Sequence, residues 1–334
     1  MDKISLSTVV PVYSGQAFLV QLVAELAAVR EALHESHAPV QLIEAIFVND
    51  AAIDNSAQVL EKLAAQYSWI RVITLAKNFG QHPATIAGIL HTSGDWVVTL
   101  DEDLQHRPEH ILTLLRAAVT KGADIVYARP VQAVHKKAYR DVASRMTKRF
   151  LVWTTGNKMV RYFNSFRLIR GTVARSAASV CGHETFFDIA LSWFSCQFTH
   201  VELVLEDSRF ISTGQSGYTL RKLLSHFRRL SLSSQPKFLR YGAGLGFISV
   251  LVAIFLASKT LYGVWFLENT VAVPGWSSLF ISILFFGGIC ALLIGIMLEY
   301  LTNIVLHTQG KPVFFQVDRG SDKVLRDYFA TVAQ

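Results

Sequence analysis

The residues best equipped for chemistry in this chain follow a short apolar run. Trp96 to Leu100, WVVTL, leads straight into Asp101, Glu102, Asp103, Leu104 and Gln105. Two carboxylates two residues apart, with an amide two further on, can turn oxygens toward one point and hold Mg2+ or Mn2+. Such small hard cations take oxygen donors and keep open positions for the oxygens of a diphosphate. An acidic turn that only caps the helix beginning near Pro108 would use the same residue types. The apolar strand in front of the acids favours the chemical reading, because ligands of open α/β sheets sit beyond the carboxyl ends of the strands.

The elements that must position these residues alternate over residues 1 to about 215. Ser5 to Val12, Leu42 to Asn49, Ile70 to Leu75, Trp96 to Leu100 and Asp124 to Ala128 read as strands. Between them Phe18 to His34, Ser56 to Tyr67, Pro83 to Thr92 and Pro108 to Thr120 read as helices. This rhythm predicts an α/β fold with a mainly parallel sheet wrapped by helices. The remaining polar clusters also fall at strand ends: Asp50 and Asp54 in FVNDAAIDNS, Lys77, Asn78, Gln81 and His82 in LAKNFGQH, and Arg129 after IVYA. Taken singly, Asp50 and Asp54 would pass as turn residues and Arg140 as an exposed helix cation.

Composition points to a bilayer. In 334 residues, 51% hydrophobic and 17% charged side chains with a mean hydropathy of +0.33 are too oily for two soluble domains. The low charge excludes disorder, and Cys181, Cys196 and Cys290 lack the spacing of a disulfide or metal framework. The first residues, with Asp2 and Lys3 and no long apolar core, do not read as a signal peptide. Tyr241 to Ser258 and Ser277 to Leu298 are uncharged runs of 18 and 22 residues, each long enough to cross the hydrocarbon layer as a helix. Trp265 and Trp276 suit an interfacial belt between them, and Lys259 can snorkel to headgroups. Basic residues flank the pair on both outer sides, Arg228, Arg229, Lys237 and Arg240 before it and Lys311, Arg319 and Lys323 after it, which predicts both ends in the cytoplasm. Tyr218 to Leu232 carries leucines and Phe227 at helical spacing against arginines, an amphipathic basic helix ahead of the first span. The net charge of +7 is thus concentrated for a lipid surface, and no nucleic-acid-binding motif is visible.

Several blocks in order make the chain resemble the family 2 glycosyltransferases of GT-A fold, and more narrowly the polyprenyl-phosphate glycosyltransferases. VVPVY (Val9 to Tyr13) is similar to the family's VPVYNE, FVNDAAIDNS (Phe47 to Ser56) to its VDDGSTDNS, and LAKNFGQH (Leu75 to His82) to its L-x-R-N-F-G. DEDLQHRPE (Asp101 to Glu109) resembles its D-x-D-L-Q-x-P-P-E, SFRLI (Ser165 to Ile169) its G-D-F-R-L, and GQSGYTLRKLL (Gly214 to Leu224) the block leading to the membrane.

The resemblance implies that Pro11, Tyr13 and Asp50 line a nucleotide pocket and that Asp101, Asp103 and Gln105 hold Mg2+ or Mn2+ against the donor diphosphate. It implies catalytic roles for Asp103, Arg129 and Arg140, with Ser144, Lys77, Gln81, Arg209 and Ser216 contacting phosphate or sugar. Arg209 to Tyr218 is expected to form a flexible flap, and Arg167 to brace the site. The implied partners are a nucleotide sugar donor, a polyprenyl phosphate acceptor and membrane lipid, at the cytoplasmic face of a bacterial inner membrane. Two short spans per chain gain from association, so a homo-oligomer, such as a tetramer, is expected.

The expected organisation is a GT-A domain over 1–215, flap and juxtamembrane helix over 216–238, two transmembrane helices over 239–306 and a cytoplasmic tail over 307–334. The chain departs from the family pattern at Ser14 and Gly15, at Ala51, Ala52 and Ile53, at Ser165 and at Gly217. Two alternatives stay open: a membrane-anchored transferase with another lipid or glycan acceptor, and a non-catalytic scaffold that binds nucleotide sugar.

Overall fold

A computed structural model of the chain describes residues 3–130, 152, 158–182, 185–203, 248, 251, 252, 255, 258, 275–308 and 313–316. The chain divides into two units, Met1–Ser233 with Pro312–Gln334, and Ser234–Lys311.

The first unit is built on a seven-stranded sheet. In chain order its elements are β1 (Ile4–Val12), α1 (Leu19–Glu35), β2 (Val40–Asn49), α2 (Ser56–Gln66), β3 (Ile70–Thr74), α3 (Gln81–Leu90), β4 (Trp96–Thr99), α4 (Ile111–Lys121) and β5 (Ile125–Pro130). There follow β6 (Arg167–Arg170), α5 (Gly171–Ser179), α6 (Phe187–Phe194) and β7 (Phe198–Leu203). The strand order is β3-β2-β1-β4-β6-β5-β7. β1 pairs parallel to both β2 and β4, and β2 parallel to β3. β1 and β2 are buried over most of their length, and of the polar side chains they bury, Ser7 donates to Glu44 at 2.8 Å.

Successive side chains of β1 serve opposite layers. Val10 joins Leu22 and Leu26 of α1 and Leu114 of α4 on one side, while Val9 joins Ile86 and Ile89 of α3 on the other. In α1 the buried positions Leu19, Leu22, Val23, Leu26, Val29 and Leu33 recur at helical spacing, so one stripe faces the sheet. α3 packs tightly on the sheet at Gly88, where an added Cβ would clash with the Val9 and Val48 side chains.

The sheet departs from the sequence expectation at β7, which pairs parallel to β5, and at β6, which runs antiparallel to β4 and β5. The β6 segment is short and begins with a buried arginine, so neither length nor alternation marks it as a strand. Arg167 is accommodated because its guanidinium pairs with Asp188 of α6, both side chains being nearly inaccessible. Tyr127 of β5 donates its hydroxyl proton to the same carboxylate at 3.0 Å. Burial and that carboxylate push the Tyr127 pKa well up, so it stays a donor.

In the second unit, α7 spans Trp276–Thr308, and its window Phe285–Thr302 has a mean hydropathy of 1.9. Among the described residues it is the one helix long and apolar enough to cross a membrane. It contains the second expected span. Of the first, the described residues Ile248, Leu251, Val252, Phe255 and Ser258 are helical and exposed, and the rest of Tyr241 to Ser258 lies outside the described residues. The expected flap and juxtamembrane helix also lie outside them.

Candidate active site

The turn after β4 is held from several directions. Leu100 N–H donates to Val9 O at 3.0 Å, and Thr99 Oγ1 donates to Ser165 O at 2.5 Å, tying the strand end to its neighbours on both sides. Asp101 then receives two side-chain donors: Gln81 Nε2 reaches Oδ1 at 2.6 Å and Ser165 Oγ reaches Oδ2 at 2.7 Å. Hydrogen bonds to an ionised acceptor are the strong kind, and this pair fixes the direction of the remaining lone pairs.

His106 sits beneath the turn, buried, its ring stacked on Phe166 with centroids 5.0 Å apart. Burial pushes its pKa down, against the pull of the Asp101 and Asp103 carboxylates. A neutral ring fits the contact seen, in which Asp101 N–H donates to Nδ1 at 3.3 Å. Leu104 completes the turn with φ of 61°, a left-handed conformation that costs a residue with a Cβ about 1 kcal/mol. Asp103, itself buried, accepts Gln105 N–H at 3.3 Å, an Asx-type contact that shapes the same bend.

Glu102, between the two acids, does a different job. Its carboxylate accepts Tyr13 N–H at 2.9 Å and Ser14 N–H at 3.2 Å, latching the end of β1 to the acid turn. A Cβ on Gly15 would lie 2.7 Å from Glu102 Oε2, so the glycine at this position leaves room for the latch.

Asp50, just past β2, is buried and holds the turn that follows β3: its oxygens accept Phe79 N–H at 2.7 Å and Gly80 N–H at 2.8 Å. Burial raises its pKa, and the two amides only partly offset this. Each carboxylate oxygen retains a second lone pair for a ligand. Gly80, at φ of 97°, adopts a backbone that a side chain would strain. Ala51, in the turn after β2, has φ of 49°, taking a left-handed conformation without a glycine. Asp54 braces the same corner by accepting Ser56 Oγ at 2.5 Å and Gln16 N–H at 3.1 Å.

The ends of four adjacent parallel strands therefore bring Tyr13, Asp50, Lys77, Gln81, Asp101, Asp103 and Gln105 to one edge of the sheet. Tyr13, Lys77 and Gln81 are exposed there, with Lys77 Nζ 5.2 Å from the centre of the Phe79 ring. Pro11 is buried within β1, in register with Val48. Arg129 is the penultimate residue of β5, which β6 separates from the acid turn, and its guanidinium lies 3.4 Å from Glu202. Both partners are more than half exposed, and such a pair contributes little on its own. Arg140, Ser144, Arg209 and Ser216 lie outside the described residues.

Among the described residues no group of three or more His, Cys, Asp and Glu side chains converges as a metal cage. What the turn offers is a set of hard oxygen donors beside a neutral histidine. This fits an ion of the Mg2+ or Mn2+ type held by one or two carboxylates, which completes its shell with substrate phosphate and water.

The family model described as glycosyl transferase family 2 matches residues 7–181. The chain belongs to this family. It is a glycosyltransferase, and the match covers β2 to β4, most of β1 and every turn of the acid edge. It is 30% identical over 319 residues, 92% of each chain, to undecaprenyl-phosphate 4-deoxy-4-formamido-L-arabinose transferase of Serratia proteamaculans (strain 568). Among solved structures it is similar to mannosyl-3-phosphoglycerate synthase from Rubrobacter xylanophilus, with a TM-score of 0.50, 17% identity, and coverage of 69% of this chain and 71% of that one. That likeness concerns the fold, and the mixed, mostly parallel sheet is the GT-A fold.

Sequence reasoning about this glycosyltransferase missed Glu102, and it gave no role to His106 or to the hydroxyl of Ser165. It singled out Arg167 as a brace, and the structure gives the means: beyond pairing with Asp188, Arg167 donates to Asn164 O at 3.1 Å, fixing the backbone just before Ser165. The signal for Glu102 was its place between two acids, where a third ligand and a structural latch look alike.

Proposed function

We propose that the protein transfers a sugar, with inversion, from a nucleotide sugar to a polyprenyl phosphate such as undecaprenyl phosphate. The observation that carries this reading is the likeness, over 92% of both chains, to a transferase whose name specifies undecaprenyl phosphate. The acid edge supports it, because it offers a nucleotide side at Tyr13 and Asp50 and a diphosphate side at Asp101, Asp103 and Gln105.

The reaction is a single displacement. An oxygen of the acceptor phosphate attacks the anomeric carbon, the bond from that carbon to the diphosphate oxygen breaks, and the nucleoside diphosphate leaves with the electron pair. A phosphate monoester with a second pKa of about 6 is already dianionic near neutral pH, so it needs little help from a base. A serine at position 165 is compatible with this chemistry. Asp103, with Asp101 and Gln105, would hold Mg2+ or Mn2+, which would neutralise charge growing on the leaving diphosphate. Gln81 and Ser165 keep Asp101 oriented, Glu102 keeps the nucleotide side registered to the acid turn, and Arg129 with Arg140 offers guanidinium forks to phosphate oxygens.

In this reading α7 and the run Tyr241 to Ser258 anchor the chain in a bacterial inner membrane, with the GT-A domain and both termini on the cytoplasmic side. Holding the site at the headgroup layer turns encounter with a lipid phosphate into a local event. Residues 216–238 would lie along that surface, and the chains would associate as an oligomer. The test is incubation of the purified chain in lipid with a panel of labelled nucleotide sugars, Mg2+ or Mn2+, and undecaprenyl phosphate. Label should enter a chloroform-soluble product that mild acid releases. Label in an acid-stable lipid would indicate a hydroxyl acceptor, and no consumption of any donor would indicate a binding scaffold.

A further inference from the structure

The chain downstream of the apolar helix returns to the sheet at a position that matters for the site. β3 is an edge strand, and on its inner side Leu75 N–H donates to Asn49 O at 2.9 Å. On its outer side Leu75 forms an antiparallel bridge with Gln316, and Ala76 N–H donates to Phe315 O at 2.9 Å. Phe314 packs on the cluster of Ile46, Val48, Ile73, Leu75, Ala84 and Ala87, the same cluster that carries Phe79. Phe315 is 58% exposed, so the attachment works through its backbone and through the Phe314 ring.

We infer that Val313–Gln316 is a clip on the donor side of the active site, and that Phe314 is a positioning residue for the Lys77–Gly80 turn. Water could satisfy the Ala76 amide at an open edge, so the clip is not needed to complete hydrogen bonding. Its effect is to order the next residues. Lys77–Gly80 emerges directly from the clipped strand end, and Asp50 grips its amides from within the sheet. The turn thus has one anchor on each side, and α3 starts at its end with Gln81, the residue that donates to Asp101. Loosening the outer anchor leaves Lys77 and Gln81 to be ordered when the donor binds, and that ordering weakens binding. The inference rests on reading this edge as the nucleotide-sugar site.

The test uses the chain in lipid nanodiscs, with Phe314→Ala, Phe314→Leu and a deletion of Val313–Gln316. The deletion removes the Phe314 ring together with the Phe315 carbonyl that accepts Ala76 N–H, so it reports on the clip however the space left in Phe314→Ala is repacked. Amide hydrogen exchange should accelerate over residues 76–82 in Phe314→Ala and in the deletion, and stay unchanged over Trp96–Thr99. UDP and GDP, each titrated with Mn2+, serve as binding probes; whichever binds the wild type should bind Phe314→Ala about tenfold more weakly. Phe314→Leu should restore most of both effects. Unchanged exchange over 76–82, or an equal rise over Trp96–Thr99, overturns the clip, as does unchanged nucleotide affinity in a variant whose turn has loosened. If neither nucleotide binds the wild type, the donor-site reading fails, and the exchange data still decide whether the clip orders the turn.

Discussion

Ser165 gives the sharpest handle on the acid turn, because its hydroxyl makes one contact there and can be removed without changing the fold. Its Oγ donates to Asp101 Oδ2 at 2.7 Å, and the Asp101 side chain is 23% exposed. A hydrogen bond to a charged acceptor contributes about 1.5–3 kcal/mol, and partial exposure places this one at the low end. Ser165→Ala should therefore weaken metal-dependent binding of a nucleoside diphosphate by about 1.5 kcal/mol, roughly tenfold. Ser165→Thr keeps the donor and should stay within about twofold of wild type. Ser165→Asp replaces a donor with a second acceptor beside Asp101, so it should tighten the metal and destabilise the metal-free protein by like-charge repulsion. The assay is calorimetric titration of Mn2+ with and without nucleoside diphosphate, beside the metal dependence of transfer. Equal affinities in wild type and Ser165→Ala would show that this hydroxyl does not orient Asp101, and the account of the turn would be wrong.

Other substitutions test the frame around the site. Ala51→Gly should relieve about 1–2 kcal/mol of left-handed strain and give back about 0.4–1 kcal/mol as chain entropy, a net gain near 0.5–1 kcal/mol read as a higher Tm. Gly88→Ala should cost about 1–3 kcal/mol in thermal or denaturant unfolding, since its Cβ would lie 2.4 Å from Val9 Cγ1. Glu44 is buried, which raises its pKa, but hydrogen bonds from Ser93, Ser7 and Arg71 outweigh burial and hold it below its ordinary value of 4.5. Its contribution to stability is complete above that pH and disappears as acid titrates through the lower folded-state value, so Glu44→Gln should flatten the acid limb of a Tm-against-pH curve.

The parallel half of the sheet was legible because its strands are apolar runs broken by turn residues, and the predicted bounds of β1 to β5 fall within a few residues of those observed. β6 was not, because Arg167 looks like a surface residue until Asp188, 21 positions later, neutralises it in the core. The acid turn was legible as a position, since Asp101 and Asp103 stand at the end of a buried strand. Its internal division of labour was not. Glu102 is a latch because Tyr13 and Ser14 present their amides 89 and 88 residues away, a relation that no local spacing encodes. Asp50 was expected to face a nucleotide, and its first obligation is to the amides of Phe79 and Gly80, which only the β2 to β3 crossover brings near. The docking of Gln316 on Leu75 is further still from any local pattern, and the tail residues themselves carry no sign of it.

The most direct measurement is the mass of the lipid product formed by the full chain in nanodiscs that contain undecaprenyl phosphate, with the donor identified from the panel. The account predicts undecaprenyl phosphate enlarged by one glycosyl unit and no additional phosphorus, abolished by Asp103→Asn. A product carrying a second phosphate, or one that Asp103→Asn makes as fast as wild type, would contradict it.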